Sequence, residues 1–435
     1  MNIIRIKRLG KEFFWTSFAQ ISTLIGSFIG IRIITQLLSP TQYGELALGM
    51  TVSTLMQAIA FGPLSNGAFR FFSSAKEEGF ESTKSYFATL HKLVLYIICL
   101  LTLIAIIVTI VFGVIGSLER FTLGLTAFFF GLFFGLNNLI NSIQNAARNR
   151  TIVALHQTLA TFGRISLSSL MIILFGASSS TAMLGYALAM IFVFLSQNYF
   201  LKRSLIKKFN SENLRTIKKS SWISKLTSYS WPFATWALLG WGRSASERWA
   251  LDFFTTTKDV GIYSALTQVG YVPITLFFNM WLSFVNPVIY QRAGDGQNIS
   301  RLRRIYHDCW KLTCLGFILV LFLTGFTSLF HEFIFLILLP ESYNSYSYLL
   351  PAVVFAGGIF SINHHITTAI HSHNKTTTLI IPTNLLHLIG LTLNILGAGY
   401  FGAKGLVLSS IIYSILKLST TIILSRITYR ELKLV

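Results

Sequence analysis

Runs of twenty or more apolar residues alternate with short polar segments along almost the whole chain. A bilayer hydrocarbon core about 30 Å thick takes about 20 apolar residues per helix. On that ruler the pattern predicts twelve transmembrane spans, at approximately 13–38, 46–72, 90–115, 121–145, 152–175, 182–201, 229–254, 262–289, 310–331, 347–370, 377–399 and 405–425. The third is the clearest, because nothing from Leu93 to Ile115 carries a charge. The seventh is the least apolar, since it holds Arg243, Glu247, Arg248 and Asp252. The basic segment Met1 to Lys11 runs into the first span without a small-residue cleavage signature, so that span reads as retained and not as a removed signal peptide. The expectation is an all-α polytopic membrane protein.

Composition narrows the picture. Of 435 residues, 53% are hydrophobic and only 11% are charged, against about a quarter charged in soluble domains. The formal net charge is +20, from 35 Lys and Arg against 15 Asp and Glu. A nucleic-acid partner is not expected, because that needs a polar, Lys/Arg-rich surface over a modest core. The cysteines Cys99, Cys309 and Cys314 have no metal-ligand spacing, and they read as small apolar core residues. Neither metal nor cofactor is expected.

Lys and Arg in short loops resist translocation, so their distribution sets orientation. One side of the predicted membrane carries clusters such as Arg5 to Lys11, Arg70 to Lys92, Arg148 and Arg150, Arg292 to Lys311, and the tail residues Arg426, Arg430 and Lys433. The other side carries Arg120, Lys258 and Lys404 alone. This places both termini in the cytoplasm and favours an even number of spans. The polar segment 202–227, in which Glu212 is the only acid, divides the chain into six-span bundles at 1–210 and 211–435. Its ordinary reading is a solvated linker touching anionic lipid headgroups. Both halves enter from the same side, so they are expected to be parallel repeats.

The halves share a local pattern. From Arg32 the first runs through Leu38-Ser39-Pro40-Thr41-Gln42-Tyr43-Gly44, and from Glu247-Arg248 the second runs through Asp259-Val260-Gly261-Ile262-Tyr263-Ser264-Ala265. Each reads as an Arg in the outer part of a helix, a polar turn, and a Gly suited to a close or left-handed backbone before a new helix. At these stretches the chain resembles the polysaccharide-exporter branch of the multidrug/oligosaccharidyl-lipid/polysaccharide flippase superfamily, most closely its Wzx-type O-antigen or exopolysaccharide flippases. The resemblance implies two bundles arranged as a V around a central cavity, with alternating access and an undecaprenyl-diphosphate-linked oligosaccharide as cargo. It also implies a bacterial cytoplasmic (inner) membrane location. Pro63 in span two departs from the pattern and predicts a kink.

Charges inside the spans carry the chemistry. A midplane Arg or Lys costs about 2.5–3.5 kcal/mol on insertion scales, so it should face water or a partner. Arg164, Arg243 and Lys417 fall near span centres, while Arg32 and Arg248 lie nearer the outer ends, where long side chains snorkel. These five are the candidate substrate-binding residues. Arg243 and Glu247 are four apart, as are Arg248 and Asp252, so each pair can meet on its own helix face. The two arginines lie about 140° apart around the wheel, so one cavity takes only one pair. Arg243, the deeper, is the expected cavity residue, and Arg248–Asp252 is expected to be a structural pair. Arg offers bidentate hydrogen bonds to phosphate oxygens and Lys a compact charge, which suits a diphosphate cargo. Glu247, Asp252 and His387 are the candidates for ion pairing or coupling to a proton or sodium ion. Of the span histidines, His156, His364 and His365 complete the set. Asn137, Asn138, Asn141, Gln144, Asn363, Asn394, Trp241 and Trp281 read first as packing or capping residues and second as sugar contacts.

The phosphate-loop pattern G-x-x-x-x-G-K-[ST] is absent, as are H-E-x-x-H and G-x-S-x-G, and no enzymatic role is expected. Competing readings are a multidrug cation antiporter, which predicts acids deep in the first-half spans, and a membrane polysaccharide polymerase or glycosyltransferase, which predicts a long external loop. The longest outer connection is only about 331–346. A lipid II flippase relative would carry two further C-terminal spans. Contact with polysaccharide polymerase machinery is a candidate partner interaction.

Overall fold

The computed structural model describes residues 3–113, 118–209, 222–294, 298–373 and 376–434, and every element among them is helical. The helices are α1 (Ile3–Leu37), α2 (Pro40–Met56), α3 (Gly62–Glu77), α4 (Phe80–Gly113), α5 (Leu118–Ala146), α6 (Arg150–Phe175), α7 (Ser179–Phe209), α8 (Trp222–Phe254), α9 (Thr257–Ala293), α10 (Ile299–Leu338), α11 (Leu350–Ser372) and α12 (Ile380–Leu434). Short 3-10 segments, Glu341–Leu349 and Thr376–Leu379, precede α11 and α12.

Ten helical stretches among the described residues are long and apolar enough to cross a membrane, where the sequence pattern predicts twelve. The difference lies in two places. Helix α8 is not one of the ten, consistent with its polar and charged residues. Ile380–Arg430 forms a single apolar stretch, although Gly402 (φ 56°, ψ −136°) breaks the helical backbone within it. Most helices outrun their apolar centres. At 40 residues α10 is about 60 Å long, twice the hydrocarbon thickness. Hydropathy reads only the immersed part. Large apolar side chains such as Ile318, Phe322, Leu329 and Leu336 are more than 60% exposed along α10, as expected where hydrocarbon is the solvent.

The expected kink at Pro63 takes a specific form. Gln57–Phe61 is one turn of π-helix, with the Gly62 N–H bonded back to the Gln57 carbonyl. Such a turn accommodates a proline without breaking the chain. Phe61 is fully buried and lies against Gly135 of α5, where a β-carbon would strike its ring.

The chain divides into two compact units, one comprising Met1–Gly26 and Leu46–Trp241, the other Ser27–Glu45 and Gly242–Val435. A cluster of Leu64, Phe72, Tyr86, Leu139, Trp222 and Leu226 fills the core of the first, where the Tyr86 hydroxyl donates to the Ala68 carbonyl at 2.6 Å. Cys309 is fully buried in the second, beside Ile289, Leu302 and Ile305. Cys99 and Cys314 are exposed, contrary to the expected core placement. They stand on membrane helices, where an exposed small apolar thiol meets lipid at little cost.

In the second unit the two motif stretches meet. Ser39 and Gln42 cap the start of α2, with the Ser39 N–H and hydroxyl donating to Gln42 Oε1 at 3.1 and 3.2 Å and the Gln42 N–H returning to Ser39 Oγ at 3.4 Å. At the start of α9 the Thr256 hydroxyl donates to Asp259 Oδ2 at 2.7 Å and the Asp259 N–H donates to Thr256 Oγ1 at 3.2 Å. The first is a capping box and the second a side-chain N-cap, and they start the helices earlier than the 46 and 262 expected from hydropathy. Gly44 and Gly261 therefore lie inside helices, one turn past each cap, with ordinary negative φ. Their role is close approach. A β-carbon on Gly44 would strike the carbonyl oxygen of Thr257, the first residue of α9, and one on Gly261 would strike that of Pro40, the first residue of α2. The contact is reciprocal, residue for residue. The segment Glu341–Leu349 braces both turns: Tyr343 donates to the Leu38 carbonyl at 3.0 Å, and Tyr346 donates to Asp259 Oδ1 at 2.6 Å.

Candidate functional site

Four of the eight candidate site residues assemble in the second unit. Arg243 and Glu247, one turn apart on α8, form an ion pair at 3.1 Å with side chains only 12% and 17% exposed. Both carboxylate oxygens of Glu247 are engaged, since the Tyr263 hydroxyl of α9 donates to Oε2 at 3.2 Å. The Arg243 guanidinium also lies 4.4 Å over the ring of Tyr413. On α12, Lys417 sits one turn past Tyr413 and places its ammonium 4.2 Å from the Phe360 ring and 5.9 Å from Tyr413. His387, in the part of α12 before the break at Gly402, bonds through Nδ1 to the buried Tyr413 hydroxyl at 3.1 Å.

Local packing holds the cluster in place. Asn394 donates to the Arg243 carbonyl at 2.9 Å and to Ser246 Oγ at 3.0 Å, fixing α8 at the arginine. Gly390 leaves room for the arginine stem, because a β-carbon there would meet Arg243 Cγ and Cδ and the Tyr413 ring. Tyr271, Phe360, His364, Tyr413 and His387 form a continuous aromatic wall with ring centroids 5.6–6.4 Å apart. Two cations over aromatic faces, with one acid between two donors, make a desolvated and positively biased patch. The aromatics escaped the sequence reading. The signal was there, in Tyr413 four residues before Lys417.

The other candidates lie elsewhere. Arg164, in the first unit, donates through Nε to the Ala160 carbonyl at 3.1 Å. Arg32 reaches the Leu336 carbonyl at 3.4 Å. Arg248 and Asp252 do not pair as expected. Arg248 Nε donates to Ser264 Oγ at 3.3 Å, and Asp252 accepts from Thr257 at 2.6 Å. The first turns of α9 bring these hydroxyls within reach of both side chains, in place of the fourth neighbour on α8. Asn137 binds backbone carbonyls of Phe133 and Met190, Gln197 binds Asn141, and His156 bridges Ile152 and Ser196, so these polar groups stitch helices together. Among the described residues no group of three or more His, Cys, Asp or Glu is arranged to hold a metal ion.

Residues 9–293 match a family described as polysaccharide biosynthesis protein. The chain belongs to that family. Solved structures share its fold at low identity. A lipid II flippase, MurJ, in an inward closed conformation matches with a TM-score of 0.72 and 16% identity over 94% of this chain and 86% of that one. An inward-facing multidrug resistance transporter of the MATE family matches at 0.67 and 14% identity over 95% of both. A transporter of the same superfamily from Pyrococcus furiosus, described as having a binding pocket of reverse polarity, matches at 0.61 and 15% identity over 97% of both. A search of curated proteins gives no sequence match. This member of the polysaccharide biosynthesis family is thus a multi-pass membrane protein that shares its fold with a lipid II flippase and with multidrug transporters.

Proposed function

We propose that the protein flips undecaprenyl-diphosphate-linked oligosaccharide repeat units, for O-antigen or exopolysaccharide, from the inner to the outer leaflet of a bacterial cytoplasmic membrane. It works by alternating access, with bundles at 1–210 and 211–435 and both termini in the cytoplasm. The observation that carries this reading is the cluster in the second unit: Arg243 and Lys417 stand against the single carboxylate of Glu247. An anionic cargo gains from that surplus, and a cationic drug does not. This favours the flippase over a multidrug cation antiporter.

The geometry suggests how the cargo phosphate is taken and released. Arg243 is held by an internal anion, so a diphosphate must displace Glu247 to gain a bidentate contact. Glu247 then returns to the guanidinium as the cargo leaves. A coupling proton or sodium ion would act by neutralising Glu247, with His387 and Asp252 as further candidates. Arg164, Arg32 and Arg248 are secondary contacts for the anionic cargo, and polysaccharide polymerase machinery is a candidate partner at release.

Glu247→Gln separates binding from release. It removes the competitor and keeps the shape, so inorganic pyrophosphate should bind the purified protein roughly tenfold more tightly, while export of repeat units slows. Calorimetric titration with pyrophosphate checks this. Unchanged or weaker binding would show that Glu247 does not compete with the anion.

A further inference from the structure

Away from this cluster, a cavity of about 830 Å³ opens between the last turns of α9 and the first turns of α10, lined by Val288, Arg292, Arg301, Arg304, Ile305 and Asp308 among others. On α9, Val288 and Arg292 are one turn apart. On α10, Arg301, Arg304, Ile305 and Asp308 follow the three- and four-residue spacing of a single helix face. Two stripes thus face one space. Asp308 accepts from Arg292 at 3.2 Å, tying the helices together and occupying the one carboxylate that lines the cavity among the described residues. Neither Arg301 nor Arg304 has a carboxylate partner among those residues.

Helix electrostatics does not account for these two guanidiniums. The start of α10 has no acid in its first turn, and although the Asn298 side chain accepts from the Arg301 N–H, the N-terminal end of the helix dipole is positive and disfavours cations. An anion in the cavity reverses the sign of every one of these terms, and guanidiniums give it paired, charge-assisted hydrogen bonds. The walls indicate which anion. Val288 is 48% exposed beside the arginines, while Ile305 is 1% exposed and forms apolar floor. The apolar spans of α9 and α10 are expected to end near 289 and to begin near 310, so the inner wall of the cavity, at Val288, Ile305 and Asp308, stands at the membrane edge. A free phosphate has no use for an apolar wall, whereas a phospholipid lays its glycerol and first acyl carbons there.

We propose that this cavity is a binding site for the phosphate headgroup of an anionic membrane lipid, with Arg301 and Arg304 as its phosphate ligands and the Arg292–Asp308 pair as its brace. The site is independent of the cargo cluster.

Native mass spectrometry of the full-length detergent-solubilised protein tests it, with phosphatidylglycerol, phosphatidylcholine and inorganic phosphate as separate probes. The wild type should retain phosphatidylglycerol in preference to phosphatidylcholine and should not retain inorganic phosphate. Arg301→Gln/Arg304→Gln should weaken phosphatidylglycerol retention at least about tenfold. Lys202→Gln/Lys311→Gln, which removes the same charge outside the cavity, should not. Arg301→Lys/Arg304→Lys keeps the charge and the fold but loses the planar fork, and should give an intermediate loss. Equal weakening by the two charge-removing variants would reduce the effect to general surface charge and overturn the proposal. Retention of inorganic phosphate as strong as that of the lipid would assign the cavity to a soluble anion and overturn it too.

Discussion

Arg243→Ala is expected to abolish surface polysaccharide while the protein stays in the membrane at its normal level. Truncating one partner of a buried, hydrogen-bonded charge pair costs about 2–5 kcal/mol, roughly thirty- to several-thousand-fold in affinity. Here the loss falls on the group proposed to hold the cargo diphosphate, and it also removes the cation stacked on Tyr413. The same truncation strands Glu247 between Tyr263 and an empty space, and an uncompensated acid in that setting destabilises the fold. The two consequences are separable. Arg243→Ala/Glu247→Gln removes the stranded charge and should recover thermal stability without recovering export. Quantifying surface polysaccharide beside membrane protein level and melting temperature checks both variants. Normal export by Arg243→Ala at normal level would remove Arg243 from the cargo site.

Gly44→Ala and Gly261→Ala are each expected to cost about 1–3 kcal/mol, the usual penalty for overpacking, and to lower the unfolding midpoint by several degrees. In both cases the added carbon meets a backbone carbonyl oxygen and not a flexible side-chain tip, so relief requires α2 and α9 to move apart. Separation would also strain the bonds that Tyr343 and Tyr346 make to the two turns. Because the glycines form two halves of one contact, the double variant should cost less than the sum. Once the first methyl has parted the helices, the second finds part of its space already made. Thermal unfolding of the four proteins in detergent checks this. Additive losses would mean that the glycines act at independent places.

The residues that repeat between the halves were legible, but their role was not. Periodicity and hydropathy locate apolar helix centres, so the second and eighth spans were expected to begin at 46 and 262. The capping pairs Ser39–Gln42 and Thr256–Asp259 were written in the sequence at the spacing that starts a helix, yet they read as polar turns. Consequently Gly44 and Gly261 were taken for junction residues, whereas they serve as crossing points inside helices. Pairing on one helix was legible for Arg243 and Glu247, where spacing and burial agree. It failed for Arg248 and Asp252, because hydroxyls of the next helix, Ser264 and Thr257, brought near only by the fold, reach both first. The gathering of Arg243, His387 and Lys417 around Tyr413 joins positions up to 174 apart in the chain, and no local pattern encodes such a meeting. Intramembrane charge marks Arg243 and Lys417 because an unpaired charge in hydrocarbon is costly anywhere. The aromatic faces that receive those charges carry no such mark.

The central claim is that the cargo is a lipid-linked anionic oligosaccharide moved outward across the membrane. Deleting the gene and measuring lipid-linked repeat units on each face of the cytoplasmic membrane tests it most directly. Completed repeat units should accumulate on the cytoplasmic face while surface polysaccharide falls, with both reversed by the wild-type gene and not by Arg243→Ala. Unchanged repeat-unit distribution, together with new sensitivity to cationic drugs, would contradict it.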